Sequence, residues 1–230
     1  MPKLNGVPSN DYVPIELRND GLYEFTCTNG HRALTVLQEQ KFEILFEIGA
    51  YAILDGYYRE AVSSFSAALE RFYEFSLSVF CMKAGVQDEE WSKSWKIVAA
   101  QSERQFGAFV FLHSAILGTS PSVPAGKWRE FRNDVVHKGR IPTRHEALEY
   151  GEVVRLLLQS GTATIRENFQ EQMHQAIFKH LKASSAGAPI GVQVATMSTT
   201  TTVSLTRAAA AEKKMPEVLE DLRTRRPIVG

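Results

Sequence analysis

Apolar residues along this chain recur with two different periods, and the switch between them divides it. Residues 12–16 and 22–28 alternate apolar and polar positions, the period of a half-buried strand. Asn19-Asp20-Gly21 stands between them, and residue types that tolerate positive φ there predict a hairpin turn. Asn29-Gly30 is a second turn signal, and residues 31–37 supply a further strand. The expectation is a small β-hairpin or three-strand sheet. From about residue 39 the period becomes helical. Phe42, Leu45, Phe46, Gly49, Ala52 and Ile53 recur at three and four, and Gly56 ends that helix. Val62, Phe65, Leu69, Phe72 or Tyr73, Ser76, Val79 and Phe80 form the stripe of a second helix over 58–83, closed by Gly85.

A third helix is expected over 89–100, with Asp88 as N-cap and acids in its first turn. Its Trp91 and Trp95 are four apart, suited to packing, with base stacking as the other use of such a pair. Ser102-Glu103-Arg104-Gln105 fits a capping box that opens a fourth helix ending at Gly118, and 119–126 is a loop with two prolines. After residue 139, Thr143-Arg144-His145-Glu146 is another capping box. A nearly continuous helical period follows to residue 182, with a kink or split expected at 161–164. Residues 191–205 are rich in Val and Thr and predict a strand or hairpin that joins the N-terminal sheet. The tail forms a short helix whose basic end, Arg223-Thr224-Arg225-Arg226-Pro227, is expected to be solvated. The fold class is mainly α: an antiparallel helical bundle with a small terminal β element. The expected divisions are an N-terminal extension at 1–37, a helical domain at 38–182 and a C-terminal extension at 183–230.

Composition changes this picture little. Hydrophobic content of 44% and charged content of 23% are ordinary for a soluble globular protein. A net charge of zero restricts any nucleic-acid contact to a local patch. Cys27 and Cys81 do not make a disulfide framework. Residues 1–20 hold no apolar run of the signal-peptide kind, and no run of 18 apolar residues occurs, so a cytoplasmic protein with no membrane span is expected. Cys27-Thr28-Asn29-Gly30-His31 resembles half of a zinc knuckle, but zinc needs about four ligands and the other half is missing. No metal or cofactor is expected.

One stretch concentrates chemistry: Phe131-Arg132-Asn133-Asp134-Val135-Val136-His137-Lys138-Gly139. Histidine can take and give a proton near neutrality. The planar, permanently charged guanidinium of arginine matches a phosphate. Arg132 and His137, five apart, point roughly 140° away from each other on a regular helix, whereas Asn133 and His137 share a face. Either Arg132 reaches round, or the helix loosens toward Gly139, or a second copy completes the site. Between residues 127 and 144 stand six cations (Lys127, Arg129, Arg132, Lys138, Arg140, Arg144) and two acids (Glu130, Asp134), a landing place for a polyanion.

This stretch resembles the signature of the HEPN superfamily: an arginine, a polar residue directly after it, four to six residues in all, then a histidine. Arg132, Asn133 and His137 match position by position. The continuation is similar to bacterial members in Val136-His137-Lys138-Gly139, Ile141-Pro142-Thr143, Glu146-Ala147 and Tyr150. The resemblance covers about residues 38–182. It implies a metal-independent endoribonuclease, acting as a homodimer that brings two signatures into one cleft, in antiviral defence or as a toxin with a regulatory or antitoxin partner. It implies that His137 is general acid or base, that Arg132 stabilises phosphate charge and that Asn133 orients them. Lys138, Arg129, Lys127 and Arg140 are the candidate RNA contacts, and Glu70 and Arg71 the candidate supporting pair. The alternative is a non-catalytic module of that superfamily binding a nucleotide, RNA or a protein. A purely structural account of the motif pairs Arg132 with Glu70 or Asp134 and sets His137 at the helix end, where a cationic histidine suits the dipole.

Overall fold

The computed structural model describes residues 15–26, 30–208 and 213–225. Among them run β1 (Leu22–Thr26), β2 (Arg32–Leu37), α1 (Lys41–Leu54), α2 (Tyr58–Lys83), α3 (Asp88–Val98), α4 (Ser102–Leu117), α5 (Gly126–His137), α6 (Arg144–Asn168), α7 (Gln170–Ser185), β3 (Val194–Met197) and α8 (Met215–Arg225). The chain is mainly helical with one small sheet, built from the N-terminal hairpin and a C-terminal strand. No helix among the described residues is long and apolar enough to cross a membrane.

α2 organises the bundle. Its apolar residues lie nearly all round, the pattern of a helix covered by neighbours, and it packs against α1, α4, α5, α6 and α7. Close approach is set by glycines. The Phe65 ring lies between Gly49 of α1 and Gly151 of α6, and a Cβ on those glycines would come within 2.6 and 2.8 Å of it. Gly161, expected as a kink, does the same work: α6 runs unbroken through it, and a Cβ there would overlap the Phe72 ring. The break falls instead at Phe169 (φ −137°, ψ 36°), whose buried ring packs 5.2 Å from Phe80. Tertiary packing, not local glycine content, decides where the long helix divides.

The sheet has the order β1-β2-β3. β1 and β2 are antiparallel from Leu22↔Val36 to Thr26↔Arg32, and β3 lies parallel to β2 from Leu34↔Val194 to Leu37↔Met197. The hairpin therefore closes beyond the Thr26↔Arg32 pair, and Gly30 stands just before β2 at φ 77°. Asn19-Asp20-Gly21 is a lead-in turn rather than an apex: Ile15 and Glu16 are not in a strand, and the Gly21 carbonyl accepts the Leu37 N–H at 3.1 Å. Residues 12–14, Cys27, and Arg226 and Pro227 of the basic tail lie outside the described residues.

Two of the expected caps are corrected. α4 begins at Ser102 with Gln101 as N-cap and no capping box, because the Gln105 amide donates to the Ala99 carbonyl at 2.7 Å instead. α3 is capped by Gln87, which leaves Asp88 in the first turn to pair with Lys179 of α7. The capping box of Thr143 and Glu146 at the start of α6 is present. Trp91 and Trp95 stack at 5.4 Å, half-buried against the core.

The C-terminal segment departs most from its sequence pattern. Only Val194–Met197 is strand, and residues 198–207 form an irregular strap across α1 and α6. Its backbone groups are matched by side chains. Glu39, Glu43 and Glu47 accept the N–H groups of Thr199 (2.9 Å), Leu205 (2.9 Å) and Thr202 (3.0 Å). Arg166 of α6 donates Nη1 to the carbonyls of Ser204 (3.0 Å) and Leu205 (3.2 Å). β-propensity loses here because the backbone donors and acceptors already have ionisable partners. α8 is docked through Met215, Val218, Leu219 and Leu222, which join the hydrophobic core, while Arg223, Thr224 and Arg225 of its basic end are exposed, as expected.

Candidate active site

Arg132, Asn133 and His137 stand in the last turns of α5, and His137 is its final residue. Gly139 follows at φ 74°, a left-handed position that costs glycine nothing. It reverses the chain, so that Lys138 and Arg140 both donate their backbone N–H to the Asp134 carbonyl, at 3.1 and 3.0 Å. The other face of α5 is anchored by buried Phe131 and Val135.

Arg132 reaches round the helix. Its Nη1 donates to Asn133 Oδ1 at 2.9 Å and lies 3.2 Å from His137 Nε2. Arginine has no acceptor, so the second contact is a hydrogen bond for a neutral imidazole with its proton on Nδ1. The two hydrogens of one nitrogen thus serve Asn133 and His137. Nη2 donates to Glu70 Oε1 of α2. Of the openings left by helical spacing, the first is the one seen within a single copy. Arg132 is mostly buried and Glu70 partly so (16% and 26% side-chain exposure), and this pairing holds the guanidinium in place. The Glu70 contact is the one a structural role requires, and the His137 contact is the one a catalytic role requires. Both occur together. Arg71 does not join them, since it pairs with Glu74 of its own helix at 2.6 Å.

The surrounding cations mostly have partners. Lys138 pairs with Asp134 at 2.9 Å, which holds the Asp134 carboxyl below its usual range. Arg140 pairs with Glu146 and lies 5.0 Å from the centre of the Phe131 ring. Hydrogen bonds from the Thr143 backbone and hydroxyl, with help from Arg140, hold the Glu146 carboxyl low. Lys127 lies over Trp128 (4.9 Å) and Arg129 over Phe106 (5.7 Å), cation–π distances.

A cavity of about 390 Å³ adjoins Arg132. Arg132, Asn133, Glu70, Trp128, Phe106 and Tyr150 are among its walls, and His137 is not. The Ser66 hydroxyl donates to the Val62 carbonyl at 2.7 Å and lies 3.0 Å from the Tyr150 hydroxyl, so Tyr150 donates to it. Burial pushes the Tyr150 phenol up, and it stays protonated at neutral pH. These aromatic walls went unremarked in the sequence. Trp128, four residues before Arg132, was the available signal. Among the described residues, no group of three or more His, Cys, Asp or Glu side chains gathers to hold a metal ion. Comparison with protein-family models, curated proteins and solved structures finds no match.

Proposed function

We propose that the chain is an endoribonuclease of the HEPN type, working without a metal as a dimer in the cytoplasm, in antiviral defence or as a toxin. The observation that carries this reading is the hydrogen bond between Arg132 Nη1 and His137 Nε2 at an exposed helix end. In the free chain Arg132 occupies the imidazole lone pair. A phosphodiester draws the guanidinium toward its oxygens and leaves Nε2 open. The RNA 2′-hydroxyl then attacks the adjacent phosphorus and gives its proton to one imidazole. The P–O5′ bond breaks, and the departing 5′-oxygen takes a proton from the imidazole of the second copy. The products are a 2′,3′-cyclic phosphate and a 5′-hydroxyl. Asn133 and Glu70 keep Arg132 in register throughout. Lys138 exchanges an exposed, weak pair with Asp134 for the RNA backbone.

The test is incubation of purified protein with a mixed RNA pool in chelator, beside Arg132→Ala and His137→Ala. Cleavage by the wild type alone, leaving cyclic phosphate ends, is expected. Cleavage that survives His137→Ala overturns the assignment. A second reading, a non-catalytic module that binds a nucleotide, RNA or a protein, is favoured by the aromatic-walled cavity and by the Glu70 partner that partly neutralises Arg132.

A further inference from the structure

The C-terminal strap, α6 and α8 enclose a second cavity, of about 490 Å³. None of the residues lining it lines the cavity beside Arg132. Arg155, Arg166, Arg207, Lys213 and Arg225 stand on its walls, with Asp221, which pairs with Lys213, the one acid among the described lining residues. In a chain of zero net charge, that is a strong local field.

Several of these cations are fixed with donors to spare. Arg155 is buried and held by Glu152 (2.9 and 2.7 Å) and Gln159 (2.6 Å). Arg166 uses Nη1 on the two strap carbonyls, and Arg207 gives Nη2 to the Thr199 carbonyl at 3.1 Å. Neither of these two has a carboxylate as hydrogen-bond partner among the described residues. Of the two, Arg166 is partly buried and Arg207 is exposed, and a partly buried guanidinium without a carboxylate is stabilised by an anion that joins it. A second observation points the same way. Thr201 lines the cavity and is buried (8% exposed), and its hydroxyl has no hydrogen-bond partner among the described residues. Buried hydroxyls are normally satisfied.

We infer that this cavity binds a small organic phosphate carrying at least two negative charges, of nucleotide size. Fixed guanidinium forks match phosphate oxygens. The volume lies in the range of small-molecule sites, and Ala163, Val218 and Leu222 give part of the wall an apolar surface for the organic moiety. The site is independent of the nuclease reading.

The test uses the full chain in thermal-shift and calorimetric titrations. The probes are ADP, pyrophosphate and adenosine, at ionic strength matched with chloride. ADP and pyrophosphate are expected to raise the melting temperature by several degrees at a hundredfold excess over Kd, and adenosine is not. ADP binding tighter than pyrophosphate places the organic moiety on the apolar wall. Exposed Arg225 at the end of α8 is the residue to change. Arg225→Ala is expected to leave the melting temperature without ligand unchanged and to weaken binding about tenfold, the worth of one charge-assisted contact. Arg225→Glu is expected to abolish it, and Lys138→Ala at the distant site to leave it unaltered. Shifts no larger than chloride gives, or equal shifts in wild type and both Arg225 variants, overturn the proposal.

Discussion

Two regions of this molecule are rich in cations, and they are built in opposite ways. Around the end of α5 the cations are neighbours in sequence, six of them between residues 127 and 144. Folding brings Glu70 and Glu146 in from other elements, so that four acids now stand among those six cations. In the C-terminal cavity the cations are dispersed in sequence, from Arg155 to Arg225, and folding gathers five of them with two acidic partners, Glu152 on Arg155 and Asp221 on Lys213. Charge density along a chain is therefore a poor guide to charge density in space. A cluster in sequence has near neighbours to neutralise it, whereas a cluster made by folding needs a reason to exist.

The contrast can be broken or sharpened by mutation. The largest effect is expected at the α5 end, where His137→Ala or Arg132→Ala should lower RNA cleavage by about 10²–10⁴-fold, measured from single-turnover rates. If either variant keeps wild-type rates, the α5 cluster has only a structural role. Leu222→Ala should cost about 2–5 kcal/mol in chemical denaturation, because this residue is fully buried where α8 meets the core. An unchanged denaturation midpoint would mean that α8, and with it the Arg225 side of the second cavity, is only loosely attached.

A pH titration probes the strap. Burial raises the Glu43 carboxyl from 4.5 to about 7, against the hydrogen bonds from Leu205 and Gln40, with Glu39 adding to the rise and Arg207 opposing it. The folded chain therefore holds this proton more tightly than the unfolded one. Its contribution to stability is complete below pH 4.5 and is lost as pH rises through about 7, a difference of roughly 3 kcal/mol. Melting temperature should fall between pH 5 and pH 8, and Glu43→Gln should flatten that fall. A slope unchanged in the variant would assign it to another group. The smallest effect is expected for Lys138→Ala. Its pair with Asp134 is exposed, so stability should move by less than about 0.5 kcal/mol. A larger change in urea denaturation would show that the pair is structural.

Most helix positions could be read from the sequence, because glycines mark the stops. Gly118, for example, sits at φ 71° directly after α4, a conformation that other residues adopt at a cost. The α8 stripe could also have been read: Met215, Val218, Leu219 and Leu222 have helical spacing, and all four are buried. The sequence placed Arg132, Asn133 and His137 together, but not the contact between the first and the last. That contact depends on a long side chain wrapping the helix and on Glu70, 62 residues away. The strap was misread because Val and Thr favour strands only where a ladder is offered, and here Glu39, Glu43, Glu47 and Arg166 take the backbone groups instead. The second cavity had no local signature at all.

The Phe65 ring between Gly49 and Gly151 has a consequence for how this chain can change over time. Three positions spread over a hundred residues share one volume. Enlarging either glycine requires a smaller side chain at 65, and shrinking residue 65 opens a void that only the other two can fill. Among relatives of this chain these positions should vary as a triplet or not at all, which makes them a better mark of descent for the α1-α2-α6 core than the more freely exchanged residues on its surface.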